Sequence, residues 1–340
     1  HLAVPKLFIE HHGFYFIEGN FPANYPLLGE MLYIIGLILQ GEILAKGIQF
    51  IILLSIFLGI GMFVHARIGK HTKPYLSVLI FLSIPSVFVT AHMAYNDFSV
   101  TYYSMGAVFA FISWTERNDK EWLILCGLFS GLAAACKYTA LLLPFLGLLG
   151  ILWDARNRQL PAKSAVRNLS VFFICLILAG SPFYIKSWIM TGNPVYPFLY
   201  SIFGGTGWDP VQAKLYDLFI HQTHGMGKEP LDYLLLPWNV SLRAKLDSPQ
   251  FDAILGPVFL LTLPFACGIR KWGRLMPIIL VYAFGMLTFW VASIHQIRYL
   301  FPVLPVLCII IAYILSYYHG RKPASTVLYM LIAADRKSVV

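Results

Sequence analysis

The chain has 340 residues, 58% of them hydrophobic and only 12% charged. A soluble domain carries about 25% charged residues, so a soluble globular chain is excluded. The formal net charge of +9 raises nucleic acid as a partner, but the way the charge is distributed removes that reading.

Apolar runs of roughly 18 residues or more, the length that crosses a bilayer as a helix, recur along the sequence. Basic residues gather in alternate short connections: Arg67 with Lys70 and Lys73, Arg117 with Lys120, Arg156 to Arg167, Arg270 to Arg274, and Arg321 with Lys322. This is the positive-inside pattern, so those connections are expected in the cytoplasm. The charge sets orientation, and no nucleic-acid partner is expected.

Residues 1–42 read as a first non-cytoplasmic loop, in which 26–39 is apolar but short, as befits an interfacial helix. Spans are expected at 43–66, 74–92, 97–115, 121–136, 138–153, 168–187, 252–269, 275–293 and 298–318, with a stub at 324–334. The pair 121–136 and 138–153 should turn at Lys137. Residues 188–250, rich in Pro, Gly and aromatics, form the long non-cytoplasmic loop. The expected class is an all-α polytopic membrane protein, a single domain over 1–340. The sequence opens at His1 and closes on "DRKSVV" after a short apolar run, so a fragment at both ends is expected.

Cys126, Cys136, Cys175, Cys267 and Cys308 all fall in apolar runs without a CxxC pair, and read as small core residues. "GLFSGLAAACKYT" (127–139) lacks the second Gly of a phosphate-binding loop. Gly127 and Gly131 fit close helix packing instead.

Polar groups at one depth carry the chemistry. In "AHMAYNDFSV" (91–100), Asp97 stands where two apolar runs meet, and "IHQIRY" (294–299) supplies His295, Arg298 and Tyr299 at a turn assigned to the same side as Lys137. Ionisable residues at such depth face a cavity or a partner. Simpler readings exist: Asp97 as a helix cap, Lys137 and Arg298 snorkelling to headgroups, Glu30 on a solvated helix face. His221 and His224 have an HxxH spacing that a divalent metal can use, although a lone pair of this kind in a loop specifies no metal.

"HLAVPKLFIEHHGFYFIEGNFPANYPLLGEMLY", "AYNDF", "GLAAACKYTALLLP", "TGNPVYPFL" and "QIRYLFPVLP" occur in this order. Together they resemble the bacterial GT-C membrane glycosyltransferases, in the branch of the protein mannosyltransferases and the aminoarabinose transferase. The resemblance implies a GT-C-like bundle of roughly ten helices in the bacterial inner membrane, with a long periplasmic loop. It also implies inverting transfer of a sugar from a polyprenyl-phosphate donor to a lipid, glycan or protein acceptor on the periplasmic face. Asp97 matches the family's second-loop acid, and the family's first-loop base would precede His1. Where the aminoarabinose branch has Glu-Lys before a Pro, this chain has Asn24 and Tyr25, which puts metal dependence in doubt and leaves Lys137 and Arg298 as the donor-phosphate partners. Glu30, Tyr25, Tyr196, His295 and Tyr299 are further pocket candidates. The rival class is a transporter or lipid flippase, although no inverted repeat is visible.

Overall fold

The computed structural model describes residues 1–68, 72–222 and 224–319, with the side chains of 220–222 left aside. Helices dominate, and the described residues contain no strand. The expected stub at 324–334 lies outside the described residues. Four helical stretches are long and apolar enough to cross a membrane: Glu42–Ile68, Tyr138–Asn157, Ala162–Thr191 and Ile297–Tyr318. The described residues divide into two compact units, one within His1–Leu53 and His92–Leu218, the other within Leu54–Ala91 and the described residues from Phe219 onward.

In the first unit the Lys120–Cys136 helix packs against both Asp97–Arg117 and Ala162–Thr191. Glycines make this possible. A Cβ on Gly127 would stand 2.5 Å from the Phe172 carbonyl oxygen, and one on Gly131 would stand 2.3 Å from that of Leu176. The two backbones therefore touch, which is the use of small residues where lipid supplies no hydrophobic drive between helices. Trp114, Cys126, Ile151 and Phe172 fill the space beside that contact. Helix ends follow local chemistry. Asn118 takes the left-handed conformation after Asp97–Arg117, and Gly192 does the same after Ala162–Thr191, each returning its N–H at 2.8 Å to a carbonyl of the last turn.

The expected turn at Lys137 is present. Lys120–Cys136 stops there, and Tyr138–Leu141 starts a short 3-10 turn leading into Leu142–Asn157. The expected interfacial segment is the Leu28–Gln40 helix, ended by Gly41 at φ 74°. Ahead of it, Ala3–Glu10 folds back so that Val4, Phe8, Ala23 and Leu27 form a small core with Phe183 alongside.

In the second unit, Leu304–Tyr318 is buried along most of its length, with Pro74–Ser83 packed against it. The contrast between spans is large: 83% of the apolar window of Ile297–Tyr318 is buried, against 11% for Ala162–Thr191. The first is wrapped by protein, whereas the second leaves its apolar surface for lipid. Two expected spans differ from the sequence reading. The run 74–92 is broken at Pro85 into Pro74–Ser83 and Pro85–Thr90, because proline drives Ile84 out of helical conformation (ψ 116°) and cannot donate to the preceding turn. The run 252–269 holds only the short Val258–Thr262 helix and a Leu263–Gly268 3-10 turn, with Pro257 and Pro264 at the two starts. Cys267, in that turn, is exposed rather than a core residue. Cys126, Cys136 and Cys308 are buried as expected, and Cys175 partly so.

The glycine contact gives a direct expectation. Gly131→Val places methyl groups against the Leu176 carbonyl and should lower stability by about 1–3 kcal/mol, as overpacking does. Gly61→Ala, where the added carbon meets nothing closer than Val78 Cγ2 at 3.9 Å, should leave stability unchanged or slightly raised. Thermal unfolding of the detergent-solubilised protein separates the two.

Candidate functional site

Leu28–Gln40, the start of Asp97–Arg117 and the end of Lys120–Cys136 meet in the first unit, and each brings polar groups into an apolar interior. Asp97 stands at the first position of its helix, and its side chain is fully buried. Asn96, not Asp97, occupies the capping position and makes no side-chain cap bond. Asp97 is the first residue of the helix itself. Its Oδ1 instead accepts a hydrogen bond from Lys137 Nζ at 2.8 Å, with the lysine side chain 17% exposed. Lys137 can reach because Lys120–Cys136 ends one residue earlier, where the backbone turns extended. Its ammonium is engaged by a carboxylate, not extended to headgroups.

Glu30 is 2% exposed, so it is not on a solvated helix face. His1 Nδ1 lies 2.5 Å from its Oε1, and Asn96 Nδ2 donates to the same oxygen at 3.1 Å. Asn96 also donates to the Cys136 carbonyl at 3.2 Å, tying the three segments together. The second carboxylate oxygen of Glu30 is buried without a partner. Burial pushes the Glu30 carboxyl up to about 7, against the opposing pull of its backbone hydrogen bond, Asn96 and Lys137. Beside it, the Tyr33 hydroxyl donates to Gln49 Oε1 at 2.8 Å and to the Tyr95 carbonyl.

An aromatic wall adjoins these groups. The Tyr25 and Tyr216 hydroxyls lie 2.6 Å apart, and the Tyr25 ring stands edge-on to Tyr138 at 5.4 Å. Phe21, Trp208 and Tyr216 pack mutually at 5.2 to 5.7 Å. Tyr196 is buried, stacks edge-on with Trp208 at 5.8 Å, and its carbonyl accepts from the Tyr138 hydroxyl at 2.9 Å. Sequence reasoning missed Tyr138, Tyr216, Trp208 and Lys186. Trp208 and Tyr216 sit in the 188–250 segment already marked as aromatic, while nothing local marks Tyr138 as part of a wall or Lys186, in "YIKSW", as buried.

His295, Arg298 and Tyr299 belong to the second unit. His295 is buried, tilted against Trp290 at 5.3 Å and edge-on to Tyr233. Its Nε2 lies 2.9 Å from the Val291 carbonyl, which fixes the proton on that nitrogen. Its Nδ1 is buried without a partner, under Gly225, where a Cβ would stand only 2.5 Å away. Lys228 Nζ lies 3.5 Å from the ring, and burial lowers the proton affinity of both groups. Arg298 sits 3.9 Å from Asp252, whose Oδ2 also accepts from Gln296 at 2.6 Å. Tyr299 lies in the Ile297–Val303 3-10 turn. His224 Nδ1 lies 2.9 Å from the Pro249 carbonyl, and the His221 side chain is outside the described residues. Among the described residues no group of three or more His, Cys, Asp or Glu side chains could hold a metal.

Among the described residues the fold is all-helical, with four helices long and apolar enough to cross a membrane. Two crystal structures of ArnT from Cupriavidus metallidurans share it. The one bound to undecaprenyl phosphate matches with a TM-score of 0.62 at 16% identity, and the apo state with 0.63 at 17%. Each match covers 98% of this chain and 57% of the ArnT chain, so the protein spans little more than half the length of these neighbours. The chain belongs to the family described as "Domain of unknown function (DUF8201)", whose model matches residues 38–305. No curated protein matches it by sequence.

Glu30 has a measurable signature. A carboxyl held near 7 in the folded chain and near 4.5 when unfolded keeps its proton longer in the native state. Its contribution is therefore neutral below about 4.5, and stability is lost as pH rises towards 7. Unfolding midpoints measured across that range should fall in the wild type, and Glu30→Gln should flatten the decline.

Proposed function

We propose that the protein is a membrane glycosyltransferase that takes a sugar from a polyprenyl-phosphate carrier. The observation that carries this reading is the buried Asp97–Lys137 pair, set beside an aromatic wall in a chain with the ArnT fold. Breaking the bond between the anomeric carbon and the phosphate leaves growing negative charge on the carrier phosphate. An ammonium fixed in advance in a low-dielectric site stabilises that charge more in the transition state than in the bound donor. Asp97 keeps Lys137 charged and aimed, and so acts through it. Lys137 is one cation of the first unit that can act on the phosphate as charge develops, and Arg298, in the second unit, lies 3.9 Å from Asp252.

The acceptor must lose a proton as the new glycosidic bond forms. Glu30, whose carboxyl is raised to about 7, is matched to receive it near neutral pH. Attack on the face opposite the phosphate would invert the anomeric centre. The outer face of a bacterial inner membrane suits this reading, since the basic connections take the cytoplasmic side. Lipids, glycans and proteins are all chemically competent acceptors.

The test is transfer of label from a polyprenyl-phosphate sugar by the full-length protein in membranes. Asp97→Asn keeps an oxygen that accepts from Lys137 but removes the charge, and should lower turnover about ten- to a thousandfold with a smaller change in donor KM. Transfer at the wild-type rate by this variant, or no transfer by the wild type, would remove the reading.

A further inference from the structure

Lys186 lies within the Ala162–Thr191 helix, is 8% exposed, and has no carboxylate within ion-pairing distance among the described residues. Its ammonium rests on two main-chain carbonyls, Ala23 at 2.9 Å and Tyr25 at 3.5 Å, with the Phe8 ring 6.0 Å away. These carbonyls flank Asn24, which is fully buried and whose amide nitrogen and oxygen both lack a partner. The Trp208 indole N–H of the adjoining wall is likewise buried without one. Removing a cation from water is expensive unless a counter-charge meets it, and carbonyl dipoles compensate only part of that cost. An amide with neither donor nor acceptor satisfied adds a second deficit at the same turn.

Resting on the reading above, we propose that Lys186 and Asn24 form a phosphate-binding subsite, in which the phosphate of the lipid-linked donor takes the place that the Ala23 and Tyr25 carbonyls now occupy. The contrast with the other cations supports this. Lys137 and Arg298 each face a carboxylate, so their net field on an arriving anion is reduced, whereas the Lys186 ammonium is held by carbonyl dipoles alone at hydrogen-bonding distance. Asn24 adds two N–H donors. The half-exposed Tyr25 beside it gives the approach an aromatic edge suited to a sugar.

The test uses the full-length protein in phosphatidylcholine nanodiscs, with undecaprenyl phosphate or inorganic phosphate as probes and binding and thermal unfolding as readouts. Asn24→Asp is the decisive variant because it supplies the missing carboxylate from within. It should unfold at a higher temperature than the wild type without a probe, yet bind undecaprenyl phosphate at least tenfold more weakly. Lys186→Met should lose binding similarly, and Lys186→Arg should retain it. Protection by the lipid alone assigns the subsite to a lipid-linked phosphate, and equal protection by inorganic phosphate assigns it to the free anion. Unchanged binding in both Asn24→Asp and Lys186→Met, or no binding of either probe by the wild type, overturns the subsite. A protein that binds the lipid through Lys186 but transfers no sugar keeps this inference and loses the transferase reading. Transfer with binding unchanged in both variants does the reverse.

Discussion

A buried carboxylate and an ammonium at 2.8 Å, Asp97 and Lys137, hold the first unit's polar centre in place. Neither charge is tolerable there alone. Taking an ion out of water costs several kcal/mol even after relaxation, and only close pairing offsets it. The pair therefore fixes where one helix must begin and another must end. Asn96, next to Asp97, then bridges Glu30 and the Cys136 carbonyl, and Leu28–Gln40 is drawn into the same arrangement. The approach is possible because Gly127 and Gly131 let Lys120–Cys136 lie directly against Ala162–Thr191. That same contact brings the helix carrying Lys186 to the Phe21–Asn24 turn.

This organisation concentrates fixed charge where water is scarce. A field built into the fold needs no reorganisation when charge develops in a reaction, which is the physical basis of electrostatic catalysis. The first unit holds three grades of charge close together in structure. Asp97 is neutralised by Lys137, Glu30 is poised near its own protonation, and the Lys186 ammonium rests on main-chain carbonyls. An acidic ligand would meet a graded site of this kind most strongly at Lys186. The aromatic wall of Tyr25, Tyr138, Tyr216 and Trp208 supplies the apolar, edge-presenting surface beside it.

Much of this was legible from residue order. The length of apolar runs and the alternation of basic loops gave the helical membrane class, and the break at Lys137 followed from two short runs between charged connections. Asp97 stood out because a carboxylate between apolar segments demands a partner, and the small-residue spacing of Gly127 and Gly131 announced helix contact. What escaped the sequence depended on long-range geometry. No pattern near Glu30 shows that Asn96, 66 residues away, will cover it. Nothing near Lys186 shows that the carbonyls of a turn 161 to 163 residues earlier will receive it. The run 74–92 was read as one span from its continuous apolarity, although Pro85 stands inside it and breaks the helix. Hydropathy reports where a segment resides, while proline decides whether it is one helix.

The dependence of the site on one ion pair is tested most directly by a double-mutant cycle on Asp97→Asn and Lys137→Met, read in both unfolding free energy and sugar transfer. If the pair organises the site, each single change destabilises because it leaves a buried charge without its counter-charge. The double variant should then lose less than the sum, with a coupling of about 1 kcal/mol or more, and should transfer no more slowly than the poorer single. Losses that add within about 0.5 kcal/mol, with transfer rates that multiply independently, would contradict the account.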